Sequence, residues 1–159
     1  MIGENNPYSA DPRHALYPHP PGSAGARLCS ILGMRERDYL LAFARRNLLS
    51  QPKWSVPAAR KAAHAVLALC GEGDRLVLLG ARVAAAFGYP FAILAEHDGL
   101  GAHDATLRVL LLPHPSGLSR AWNEPGMVER VREAVAQFRC AEPTTPLTYA
   151  CFAGARSVT

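Results

Sequence analysis

Lysine is nearly absent from this chain: Lys53 and Lys61 are the only two in 159 residues. Chemistry that runs through a Schiff base needs a positioned amine, so a lyase-type covalent mechanism has almost no candidates. The four cysteines, Cys29, Cys70, Cys140 and Cys151, form no C-x-x-C pair, which argues against a zinc ribbon or knuckle. No apolar run approaches the roughly 18 residues a spanning helix needs. No signal-peptide pattern opens the sequence, and no glycine-rich phosphate loop is present. These absences predict a cytoplasmic protein without a membrane partner, with reduced cysteines that act mainly as core fillers.

What is present fits one compact domain spanning residues 1–159. Hydrophobic residues make up 49% and charged residues 19%, and the net charge is +4, carried almost entirely by arginine. Arginine suits phosphate contacts, so the modest basic excess permits a polyanionic partner without demanding one.

Residues 3–22 carry five prolines and read as a long loop, too punctuated for a helix or a central strand. SAGARLCSILGM reads as a helix stopped at Gly33. Tyr39 to Phe43 reads as a short strand leading to Asn47. Residues 57–70, with Pro57 in the first turn and an alanine-rich interior, predict a helix. Leu76 to Leu79 reads as a buried strand, and Gly80 to Gly88 encloses a second short helix. Residues 90–95 suggest a strand, and Leu107 to Leu112 is an apolar strand ending at Pro113. Pro125 to Phe138 reads as an amphipathic helix entered through Asn123. A Thr- and Pro-rich tail from Cys140 is expected to be loosely ordered. The alternation predicts an α/β domain, a three-layer sandwich with a mainly parallel central sheet flanked by helices. Ligands then bind beyond the carboxyl ends of the strands, where Asn47 and the segment after Leu112 are expected.

Two segments stand out chemically. One is Gly3-Glu4-Asn5-Asn6-Pro7-Tyr8. The other is Pro113-His114-Pro115-Ser116-Gly117-Leu118-Ser119-Arg120. Read singly, each is compatible with an ordinary turn. Together they resemble the two signature loops of the uracil-DNA glycosylase superfamily, the second being its His-Pro-Ser loop. Between them, Gly22-Ser23-Ala24-Gly25-Ala26-Arg27-Leu28 is similar to the Gly-x-Ala-Gly-x-x-Leu stretch of the thermostable bacterial-type branch. Asn47 falls where that branch carries its base-reading asparagine, and LVLLGARVAAAF resembles its next strand–Gly–helix unit. The resemblance spans roughly residues 3–139.

It implies a DNA glycosylase, which flips a base out of DNA and hydrolyses its N-glycosidic bond. The base leaves as an anion, and a donor preorganised at the pyrimidine O2 stabilises it by about 3 kcal/mol. His114 takes that role by resemblance. On the water side Asn6 is the first choice for positioning the nucleophile, with Glu4 as the stronger base and Asn5 as a competing neighbour. Asn47 offers a donor and an acceptor to the flipped base. Ser116, Gly117, Ser119 and Arg120 suit phosphate contacts, and Leu118 suits a wedge into the base stack. Trp122 reads as packing.

The match has departures. One extra residue separates Gly3 from Pro7. The four cysteines stand at the wrong spacings for the branch's iron–sulfur cluster, so no cofactor and no metal is expected. Where the branch stacks a Phe on the base, this chain has Pro20, with Tyr17 nearby, and Tyr8 falls where classical uracil enzymes block a 5-methyl group. The altered pocket favours a modified pyrimidine, with antiviral defence as a possible setting. The alternatives are ordinary uracil repair, a non-catalytic DNA-binding domain, or a free-nucleoside hydrolase. A monomer acting on single- or double-stranded DNA is expected.

Overall fold

The computed structural model describes residues 1–5, 11–116 and 119–140, with Asp104 described by its backbone only. The expected Asn6, Tyr8, Gly117 and Leu118 lie outside the described residues, as does the tail from residue 141. No helix among the described residues is long and apolar enough to cross a membrane.

The fold is α/β. Five strands, β1 (Ile2–Asn5), β2 (Arg46–Leu49), β3 (Arg75–Leu79), β4 (Glu96–Leu100) and β5 (Thr106–Leu112), form one sheet in the order β2-β1-β3-β5-β4. All pairings are parallel except that of β4 with β5. Five helices, α1 (Ala24–Ile31), α2 (Glu36–Ala42), α3 (Val56–Leu67), α4 (Ala81–Ala86) and α5 (Met127–Cys140), cover it.

The strand sequences show why helices lie on both faces. Successive side chains of a strand point to opposite faces. In β3, Leu76 and Leu78 join the cluster under α3 and α4, whereas Val77 and Leu79 join the cluster under α1, α2 and α5. In β5, Leu107, Val109 and Leu111 face the first cluster, and Leu110 and Leu112 the second. Strands buried on both faces are apolar without alternation, which is why these two are recognisable as short apolar runs.

Local chemistry accounts for the helices. The Ser23 side chain caps α1 by accepting from Ala26 N–H at 3.1 Å, and Gly33 follows it at φ 64°. Pro57 occupies the first turn of α3, whose small Ala59 and Ala63 are fully covered. Gly25 lets α1 press onto the incoming chain, because a Cβ there would overlap the carbonyl oxygens of both Leu16 and Tyr17.

Several expectations are corrected. Residues 39–43 are not a strand. Most of that run belongs to α2, which opens with Glu36 and Asp38, pairs Arg35 with Asp38 at 2.8 Å and sets the Tyr39 ring, tilted by 51°, against Phe43 one turn later. Short apolar runs fit either element, and here the acidic first turn and the i,i+4 aromatic pair favour a helix. Residues 90–95 are likewise not a strand; the edge strand is β4, just beyond them. Asn123 ends a 3-10 turn, and α5 starts at Met127 and runs through Cys140, which is exposed. The beginning of the proline-rich segment is not loop either: Ile2–Asn5 is a strand lying between β2 and β3.

Candidate active site

The parallel register brings the ends of four strands together. Gly3 pairs with Asn47, Ile2 with Leu78, and Leu79 with Leu112. Glu4, Gly80 and His114 therefore meet at the carboxyl end of the sheet, where ligands of open α/β sheets bind.

Gly80 is the hinge of this arrangement. Its φ of 93° is open to glycine, and a Cβ on it would lie 3.0 Å from His114 Cβ and 3.6 Å from Glu4 Oε1. The Glu4 carboxylate and the His114 side chain thus converge over a backbone with no side chain of its own. Gly3 does the same on the neighbouring strand β1: a Cβ there would stand 2.7 Å from Asn47 Oδ1 and 3.1 Å from Leu16 Cδ2. Asn47, inside β2 rather than at its end, lays its amide across β1 because Gly3 leaves the room.

His114 is half-buried after the buried Pro113. Its Nδ1 accepts the Ser116 backbone N–H at 3.2 Å, and its own carbonyl accepts the Trp122 indole N–H at 2.8 Å. An accepting Nδ1 leaves the proton of a neutral ring on Nε2. Burial pushes the His114 pKa below its ordinary value, and the Arg82 cation adds to that, while Glu4 acts in the opposite direction. The site therefore holds a neutral imidazole with one N–H donor. The Glu4 side chain is 19% exposed, and its Oε2 lies 3.6 Å from Arg82 Nη1.

The remaining expected residues fall into distinct places. Asn5 donates from Nδ2 to Pro52 O at 2.6 Å and to Gln51 O at 3.4 Å, so it ties down the segment after β2. Tyr17 is half-buried, with its ring 5.9 Å from the Arg45 guanidinium and 6.0 Å from the His19 ring. Pro20 is exposed, next to a His19 that pairs with Glu36 at 2.8 Å. Ser116 and Ser119 are half-buried and joined by a Ser119 N–H to Ser116 O bond of 3.2 Å, and Arg120 stands exposed in the following 3-10 turn.

The thiols of Cys29 and Cys70 are buried, and burial pushes the Cys29 pKa up, which is a poor setting for a nucleophile. Among the described residues no three His, Cys, Asp or Glu side chains gather as a metal site.

Three contributors were not anticipated. Leu16 holds φ 48°, unusual for a branched apolar residue, and the Tyr39 hydroxyl donates to its carbonyl at 3.1 Å. It forms an apolar wall beside Gly3 and Asn47. Trp122 fastens the His114 backbone, beyond mere packing. Arg82 faces Glu4. The signal for Arg82 was the glycine that ends the apolar run of β3, since a residue just past such a glycine sits at the ligand edge.

No family model, no curated protein and no solved structure matches the chain.

Proposed function

We propose that the chain is a monofunctional DNA glycosylase of the uracil-DNA glycosylase superfamily that hydrolyses the N-glycosidic bond of a flipped, non-canonical pyrimidine. The observation that carries the reading is the convergence of the His114 side chain, whose Nδ1 accepts a backbone N–H and so leaves Nε2 as the donor, and the Glu4 carboxylate over Gly80, with Asn47 on a nearby strand.

In this reaction the C1′–N1 bond breaks and its electron pair leaves with the base. His114 Nε2–H donates to the pyrimidine O2 as charge develops there. Water adds to C1′, and its proton passes to the water-side group, Glu4 or Asn6-positioned solvent. The products are the free base and an abasic site. Asn47 reads the edge of the extruded base through its amide. Ser116, Gly117, Ser119 and Arg120 contact the phosphates and Leu118 wedges into the stack. The protein acts as a cytoplasmic monomer without cofactor.

The target we favour is a modified pyrimidine, such as a hypermodified phage cytosine, in a defence role. Supporting this, the wall beside Asn47 is the aliphatic Leu16 rather than an aromatic ring, and Pro20 stands where the resembled branch has its stacking Phe. The test is base release from duplex and single-stranded oligonucleotides holding uracil, 5-hydroxymethylcytosine or glucosylated cytosine. Release of a modified cytosine that is lost in H114A supports the reading. Release of uracil alone returns the protein to ordinary repair. Cleavage of free nucleosides but not DNA, or DNA binding without any release, removes it.

A further inference from the structure

Arg82 has no assigned role in the reaction above, yet it stands at the site. It follows Gly80 at the start of α4, its side chain is 65% exposed, and its Nη1 lies 3.6 Å from Glu4 Oε2. That separation is beyond an ordinary hydrogen bond, so the contact is a charge pair without a rigid fork. Glu4 itself is mostly covered, and its other oxygen faces the space over Gly80 that His114 shares. A carboxylate in that position has two ways to turn: toward the arginine or toward the imidazole.

We propose that Arg82 is a positioning residue, holding the Glu4 carboxylate on the water side of the site and away from His114. The inference rests on the glycosylase reading. Its physical basis is a division of labour between two groups that otherwise attract each other. Were Glu4 to accept from His114 Nε2–H, the donor meant for the leaving base would be consumed and the base meant for water would be occupied. A cation paired with Oε2, the oxygen other than the one over Gly80, opposes both. Arg82 and Glu4 also act on His114 in opposite directions. The exposure of Arg82 makes a phosphate contact the competing account.

A double-mutant cycle separates these. Single-turnover base release and DNA affinity are measured for wild type, R82Q, R82K, E4Q and R82Q/E4Q, with melting temperatures as the check on folding. If Arg82 acts through Glu4, R82Q slows release about tenfold with unchanged affinity, R82K restores much of the rate, and R82Q adds less than about twofold in the E4Q background. A wild-type rate in R82Q overturns the proposal. So does a loss that persists in full in the E4Q background. So does a loss confined to affinity, with the salt slope of binding reduced by about one counterion, which assigns Arg82 to phosphate. If the wild-type protein releases no base from any duplex, the glycosylase reading has failed, and that result is distinct from these three.

Discussion

Replacing Gly80 with alanine probes both the backbone and the site. Gly80 sits at φ 93° and ψ 160°, a region that residues with a Cβ rarely enter. Holding alanine there costs about 1–3 kcal/mol of strain. The new methyl also meets His114 Cβ at 3.0 Å, a contact relieved only by moving the histidine or the strand end. At roughly 2–4 °C per kcal/mol for a domain of this size, a loss of about 2 kcal/mol lowers the melting temperature by about 6 °C. Displacing His114 by several tenths of an ångström is expected to slow base release by about ten- to a hundredfold. Gly88 provides the control: it has φ 85° but nothing within 4 Å of where a Cβ would stand, so G88A should lose about 1 kcal/mol of stability and keep its rate. Calorimetry and single-turnover release report the two quantities separately. The reasoning is refuted if G80A melts within about 2 °C of wild type, or if its rate falls no further than that of G88A.

The other predictions concern the same end of the sheet. G3A drives a methyl to 2.7 Å from Asn47 Oδ1, and turning that amide aside should change the preference among pyrimidines more than the stability; a competition assay with mixed duplexes reads it. Y39F leaves the buried Leu16 carbonyl without its 3.1 Å donor, which should cost about 1–2 kcal/mol in denaturant unfolding. W122F removes the indole donor to the His114 carbonyl and should slow release severalfold while leaving DNA affinity intact, read in single turnover. The His114 proton should titrate below the ordinary histidine value of 6.5 in an NMR titration. The unfolded chain then binds this proton more readily than the folded one. The associated stability is complete above that value and declines as the pH falls below it, so H114N should flatten the pH dependence of melting in that window.

The elements legible in advance are those whose cause is local. Ser23 and Gly33 punctuate α1, Pro57 starts α3, and the runs in β3 and β5 are apolar because helices cover both faces. Where the cause is not local, the reading failed. Tyr39 to Phe43 has the composition of a strand or a helix; the acidic turn before it permits a helix, and burial of Tyr39 and Phe43 in the cluster under α1, α2 and α5 goes with α2 and the residue that ends it. The edge strand β4 exists because it pairs antiparallel with β5, and its own sequence, EHDGL, carries no strand periodicity. Residues 3–5 read as the entrance to a proline-rich loop, yet they belong to the strand Ile2–Asn5, whose hydrogen bonds two neighbours supply. Glu4 and Asn5 gain opposite roles from that strand, because alternate side chains leave it on opposite sides.

The dearth of lysine is a property of sequence alone, and no fold alters it: Lys53 and Lys61 are the only side-chain amines from which a Schiff base could form. The sequence also determines, through apolar runs and caps, that the domain is layered α/β. Only the tertiary structure decides that Glu4, Gly80, Arg82 and His114 share the carboxyl end of the sheet. Parallel strands are joined by long crossovers, so residues more than a hundred positions apart become neighbours through register, which no local pattern encodes.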